Sequence, residues 1–290
     1  MAKEKILVTG AGGQLGSELQ VACKAWPQYD FVFVDKDEMP LDQPEKIGPV
    51  IETIHPAWCI SCGAYTAVDK AETEKELAFT INGDAVGAIA AACKKIGARL
   101  IHISTDYVFD GNSPIPLKEN DPTGPINVYG ASKLKGEQLA FQYNNEHTAI
   151  IRTAWVYSEF GHNFVKTMIR LMKEKPSLTV INDQVGSPTY AADLANAILH
   201  IVTAPRFIPG TYHYSNEGQI SWYEFALAIK ELTGSACPID PIPTAQYPTP
   251  AKRPHYSLLD KTHIKTTYGL DIPTWRSSLI ICLDKLKATT

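Results

Sequence analysis

The stretch YGASK, residues 129–133, sets a phenol and an ammonium four positions apart with only small residues between them. On a helix that spacing stacks the two side chains on one face. Upstream, ISTDYVFDG (103–111) brings Ser104 and Thr105 to the end of an apolar run. A hydroxyl, a phenol and an ammonium so arranged can surround one carbonyl oxygen. Thr105 donates a hydrogen bond to it, Tyr129 gives it a proton, and Lys133 lies close to the phenol. A free phenol titrates near ~10, and bringing it to about 7 takes roughly 4 kcal/mol. An ammonium ~4 Å away supplies roughly 4 kcal/mol at an effective dielectric of about 20. The expectation is a phenol made more acidic by Lys133, with Gly130, Ala131 and Ser132 kept slim so that ligands can pass over that face.

A second chemical signal lies near the start of the chain. TGAGGQLG (9–16) follows an apolar run and opens a helical pattern, with Gly10, Gly13 and Gly16 at three-residue spacing. Glycines there let the backbone turn tightly and let a pyrophosphate approach the free N–H groups of a helix start. Asp35 closes the next apolar run, which completes the context of a dinucleotide-binding fingerprint. Asp35 suits a ribose 2′-hydroxyl, whereas Lys36 beside it offsets the repulsion of a 2′-phosphate. NADPH and NADH both stay open. Asp42, in PLDQP, is read as an adenine contact or as a cap of the following helix.

Positioning these groups requires strands that end together. KILVTG (5–10), DFVFVD (30–35), HPAWCISCGA (55–64), ARLIHISTD (98–106) and TAIIRTAWVY (148–157) read as buried strands, with helical patterns over 13–25, 44–54, 69–96 and around Tyr129. Such alternation implies an α/β fold with a parallel, doubly wound Rossmann-type sheet, whose ligands bind at the carboxyl edge of the strands. After about residue 156 the rhythm changes to a helix (163–174), a strand (178–182), a helix (189–203), a strand (210–215) and a helix from Ser221. Ser221 and Glu224 have capping-box spacing. The proline-rich passage 238–254 is too long for a simple connector and reads as functional. The chain divides into a dinucleotide-binding domain over 1–156, rejoined by part of 183–205, and a smaller mixed α/β, mainly substrate-binding domain over 157–290.

Composition limits the partners. With 290 residues, 44% of them apolar, and a formal charge of -4, the chain can bury a large core and gives no reason to expect nucleic acid or an anionic membrane. MAKEKILVTGAGG has only Ile6 to Val8 as strongly apolar residues before its glycines, too few for a signal-peptide core, and no later run approaches a membrane span. Six cysteines, at 23, 59, 62, 93, 237 and 282, show no disulfide framework. Reduced thiols in a cytoplasmic enzyme are the reading. Cys59 and Cys62 form C-x-x-C, but on a strand these positions point to opposite faces, which argues against a metal or redox site.

TGAGGQLG, STDYVFDG and VYGASK together resemble the extended short-chain dehydrogenase/reductase family. GAYTAVDKAE (63–72), IIRTAWVY (150–157), NFVKTMIRL (163–171), VINDQVGSPT (180–189) and YPTPAKRP (247–254) resemble, across nearly the whole chain, its dTDP-4-dehydrorhamnose reductase branch. The resemblance implies hydride transfer from NADPH or NADH to carbon 4 of a dTDP-keto sugar, the last step of dTDP-L-rhamnose synthesis. It makes Tyr129 the acid, gives Lys133 the nicotinamide ribose, and lets Thr105 orient the ketone. It sets Gly10, Gly13, Gln14 and Leu15 at the cofactor phosphates and Ala64 and Asn82 along the cofactor groove. Thr66, Val68, Ser104, Tyr107, Trp155 and Asn163 would surround the sugar, with Lys166 and Arg253 at its diphosphate end.

Related nucleotide-sugar dehydratases carry Asp-Glu after the threonine, the glutamate acting as base. This chain has Asp106-Tyr107, which supplies no such base. Regulatory subunits of methionine adenosyltransferase also resemble this branch, but retention of Thr105, Tyr129 and Lys133 favours an enzyme. Some branch members are described as dimers joined through magnesium held by interface glutamates. Glu18 sits where one would be; Ala192 occupies another such position, with Asp193 displaced by one residue onto another helix face. That argues against magnesium and leaves monomer and homodimer both open.

Overall fold

The computed structural model describes residues 3–288, so the ends of the two expected domain ranges, 1–2 and 289–290, lie outside the described residues. Five apolar runs become strands: β1 (Glu4–Thr9), β2 (Tyr29–Val34), β3 (Trp58–Ser61), β4 (Arg99–Thr105) and β5 (Thr148–Thr153). Further along lie β6 (Val156–Tyr157), β7 (Leu178–Ile181), β8 (Val185–Gly186), β9 (Thr189–Tyr190), β10 (Gly210–His213), β11 (Ile220–Ser221) and β12 (Ile239–Ile242). The main sheet has the order β10-β5-β4-β3-β1-β2, and every neighbouring pair is parallel.

Successive residues of a strand face opposite sides, and β1 displays both cores. Ile6 and Val8 join one cluster under α1 (Gln14–Ala22) and α8 (Ala191–Thr203). Leu7 joins the other, under α2 (Pro44–Ile54) and α5 (Ala85–Ile96). A sheet covered on both faces needs strands without polar alternation, which is what these runs supply. α6 (Val128–Asn144), started by Asn127 accepting the Gly130 N–H, packs along α5 and carries Tyr129 and Lys133.

The rest of the chain forms a lobe around a third core. α7 (Phe164–Glu174), α9 (Trp222–Thr233) and α11 (Trp275–Ala288) enclose it with the pairs β6–β9, β7–β12 and β8–β11. The Ser221–Glu224 capping box forms with both reciprocal bonds. β10, by contrast, pairs with β5 and extends the main sheet. α10 (Thr262–Tyr268) lies against β10.

Two expected elements are interrupted. The strand expected over 148–157 stops at Thr153, Trp155 turns to φ +50°, and β6 departs to pair with β9. The helix expected over 69–96 is broken into α3 (Val68–Ala71), α4 (Lys75–Phe79), a π-helical turn over Thr80–Asp84, and α5. Asn82 sits in that turn and bonds outward to the backbone of Tyr65 instead of facing a continuous helix. Both interruptions occur at residues expected around the site, where irregular backbone is common. Among the described residues, no helix is long and apolar enough to cross a membrane.

Candidate active site

At the carboxyl edge of the sheet lies a cleft of about 990 Å³, at the upper end of the volumes typical of small-molecule sites. One end is the glycine loop. Gly10, in the left-handed region at φ +68°, and Gly13, Gln14 and Leu15 line it. Gly13 caps α1 with no side-chain bond and no acidic residue follows in the first turn. The helix start therefore keeps N–H donors available for an anion, which fits a dinucleotide pyrophosphate. Asp35, Lys36 and Asp42 line the same end. Asp35 accepts the Gly12 N–H at 2.7 Å, tying the second strand to the loop. Asp42 does not cap α2, whose N-cap is Gln43. Ala64 lines the middle of the cleft. Asn82 is buried behind it, its Oδ1 accepting from Tyr65 N–H at 2.8 Å and its Nδ2 donating to Ser132 Oγ at 3.0 Å. It therefore holds the wall rather than forming it.

The other end gathers Thr66, Val68, Thr105, Tyr107, Tyr129, Lys133 and Trp155. Tyr107 and Tyr129 meet edge to face, 5.6 Å between ring centres. Thr105 Oγ1 donates to Asp106 Oδ1 at 2.9 Å and accepts the Tyr107 N–H at 3.2 Å. Burial raises Asp106 to about 6. Ser104 forms part of the cleft floor, yet its hydroxyl donates to Glu137 at 2.5 Å. Glu137 in turn is held bidentately by the buried Arg152. The hydroxyl is thus committed to a buried network beneath the site.

The electrostatics correct one expectation. Lys133 is 2% exposed; its ammonium donates to Ile103 O at 2.6 Å and lies 3.4 Å from His102 Nε2. Burial lowers Lys133 to about 8, against the opposing field of Glu137. The Tyr129 phenol is pushed up to about 12, by burial first, with the Thr105 hydrogen bond only partly compensating. Burial thus outweighs the lowering expected from Lys133, whose ammonium is engaged by the β4 carbonyl. The small residues beside it also have another reason. A Cβ on Gly130 would stand 2.1 Å from Tyr107 O, and Ser132 is fully buried, donating to Tyr129 O at 2.7 Å. Gly130 and Ser132 let α6 pack against the strand end; they do not clear a path for ligands.

Three expected sugar or diphosphate contacts lie outside the cleft lining. Asn163 caps α7 and donates from Nδ2 to Gln14 Oε1 at 3.0 Å, which links the lobe to the glycine loop. Lys166 donates to Glu159 O at 3.1 Å. Arg253 pairs with Asp69 at 2.8 Å and 3.0 Å, so its guanidinium fastens the proline-rich segment to α3. The sequence reading missed Trp222 and Cys62, which line the cleft. Burial raises the Cys62 thiol to about 12, a form with little nucleophilicity.

Glu18 is buried beside Glu159. Burial, then the hydrogen bond to Glu159, pushes it up to about 7, while Ser158 Oγ donates to its Oε1 at 2.7 Å. Lys285 lies 3.0 Å from Glu159 Oε1 and donates to Tyr190 OH at 2.8 Å. Asp193 is taken by Ser278 and Asn216. Glu18 and Asp193 thus hold different internal partners, both linked to Tyr190, and Lys285 supplies the cation beside Glu159. Among the described residues there is no group of three or more metal-ligating side chains.

A glycine-bounded helix start and a Thr–Tyr–Lys set lie together at the carboxyl edge of one parallel sheet, where folds of this kind bind their ligands. Residues 4–288 match the family described as RmlD substrate binding domain, and the chain belongs to that family. It is 42% identical to a dTDP-4-dehydrorhamnose reductase of Burkholderia thailandensis, over 97% of this chain and 99% of the relative. The dTDP-4-dehydrorhamnose reductase of Clostridium acetobutylicum superposes with a TM-score of 0.93 at 39% identity, covering 98% of this chain and 99% of that one. The Bacillus anthracis dTDP-4-dehydrorhamnose reductase, solved in complex with NADP, gives the same score and identity over 98% of this chain and 100% of its own.

Proposed function

We propose that the protein reduces dTDP-4-dehydro-L-rhamnose to dTDP-L-rhamnose. The observation that carries this reading is a single cleft with the anion-receptive start of α1 at one end and Thr105, Tyr129 and Lys133 at the other. NADPH or NADH supplies the hydride when bound. Gly10, Gly13, Gln14 and Leu15 hold its phosphates, Asp35, Lys36 and Asp42 its adenosine end, and Lys133 its nicotinamide ribose.

Thr105 orients the ketone and Tyr129 delivers the proton. A phenol at about 12 is fully protonated at neutral pH, the form an acid must have. The alkoxide it meets is about as basic as hydroxide, whose conjugate acid has a pKa of ~15.7. Proton transfer to it runs downhill by roughly 5 kcal/mol at ~1.4 kcal/mol per pH unit. Reduction therefore works without a depressed phenol pKa. Tyr107, which burial raises above its usual range, supplies no base beside the sugar, so reduction is favoured over dehydration or epimerisation.

Thr66, Val68, Tyr107 and Trp155 surround the sugar, while Asn163, Lys166 and Arg253 act from behind the lining by tying lobe segments together. The two-domain division and a cytoplasmic location belong to the same proposal. Purified protein mixed with NADPH and the dTDP-keto sugar should consume reduced cofactor and sugar in a ~1:1 ratio, as a two-electron reduction requires. Absence of sugar-dependent cofactor loss would refute the assignment.

A further inference from the structure

The cleft contains a stacked aromatic pair, of which the roles above account for Trp155 alone. Trp155 lies in the left-handed region at φ +50°, one of two non-glycine residues with positive φ among the described residues. A bulky side chain keeps such a backbone only where its surroundings over-determine it. The surroundings are identifiable. Trp155 O accepts the Thr189 N–H at 3.2 Å. Its indole stacks on that of Trp222, with 3.7 Å between ring centres and 13° between planes. Trp222 is backed by Phe164, 4.6 Å away. Trp222 is itself fixed as the first residue of α9, directly after the Ser221 cap. Both indoles line the cleft that holds Thr105 and Tyr129.

We infer that Trp222 is a positioning residue for the keto sugar, an inference that builds on the proposed reductase function. Its ring holds the Trp155 indole in the strained backbone setting, so that the pair presents a rigid, flat apolar wall. A 6-deoxy-4-keto sugar has a face rich in C–H groups and a methyl in place of a hydroxymethyl. That face covers an indole without leaving a polar group unpaired. The carbonyl edge then stays free for Thr105 and Tyr129. Because α9 belongs to the lobe and Trp155 to the end of the main sheet, the stack also fixes the wall relative to the acid.

The test uses the full chain, with Trp222→Leu and Trp222→Phe. Stacked indoles couple excitonically, so the wild type should show a far-ultraviolet circular-dichroism couplet that both variants lose. Titrating the wild type with dTDP-rhamnose should perturb that couplet, and NADPH alone should not. In Trp222→Leu the KM for the keto sugar should rise roughly three- to tenfold, the scale of one lost aromatic contact. The KM for NADPH should stay within about twofold, and Trp222→Phe should recover most of the sugar KM. A wild-type couplet indifferent to dTDP-rhamnose, an unchanged sugar KM in Trp222→Leu, or equal rises in both KM values would overturn the inference. Those results in an active wild type leave the reductase assignment standing. An inert wild type would instead remove the assignment, and this inference with it.

Discussion

Replacing Lys133 by methionine should abolish turnover and make the protein more stable. Moving the ammonium from its ordinary 10.5 to about 8 costs roughly 3 kcal/mol at ~1.4 kcal/mol per pH unit. Exposure of only 2% leaves little solvent screening to discount. Against this, the variant loses a charged bond to Ile103 O, worth about 2 kcal/mol. A net gain of roughly 1 kcal/mol corresponds to a Tm increase on the order of 2 °C for a chain of this size. The sign can be checked through pH. Because the folded-state pKa is depressed, the penalty is complete below about 8 and fades as pH rises toward 10.5, where neither state carries the charge. The advantage of Lys133→Met should therefore shrink between pH 8 and 10. Thermal unfolding of both proteins without cofactor, at a series of pH values, measures it. A variant less stable than wild type at neutral pH, or an advantage that does not narrow with pH, would refute the claim that this lysine is held at an energetic cost for the sake of the site.

Further perturbations test other parts of the account. Folded Glu18 is raised from 4.5 to about 7, so its contribution to stability is lost as pH climbs through that window; Glu18→Gln should flatten the decline in Tm there, and an unchanged slope would dismiss the buried acid pair as its source. Lys36→Ala should raise the KM for NADPH several-fold more than that for NADH if the lysine offsets Asp35 beside a 2′-phosphate; parallel changes would contradict that role. Asp69→Asn removes the charge paired with Arg253 and should raise the sugar KM while sparing the cofactor KM, and steady-state kinetics in each substrate separates the two.

The glycine loop and the Tyr-x-x-x-Lys pair were legible because both are local: each lies within a few residues, and their helices and strands follow from apolar periodicity. Most of the sheet was legible for the same reason. The break at Trp155 was not, since an apolar run carries no mark of a left-handed residue set by packing against Trp222. The interruption near Asn82 was equally hidden, because it depends on bonds to Tyr65 and Ser132. Arg253 and Asp69 meet across 184 positions, which no spacing argument reaches. Slim residues beside Tyr129 invited a ligand explanation, whereas the carbonyl of Tyr107 was the neighbour that required Gly130. For Trp222 a signal was present: the Ser221–Glu224 capping box fixes it at the start of a helix, although nothing in the sequence aims that start at the cleft.

Single-turnover reduction of dTDP-4-dehydro-L-rhamnose by Tyr129→Phe, compared with wild type at saturating NADPH, addresses the core of the account most directly. Loss of the acid should slow the chemical step by about 10²–10⁴-fold, while NADPH affinity, read by fluorescence titration, stays as in wild type. A phenylalanine variant that reduces the sugar at close to the wild-type rate would contradict it.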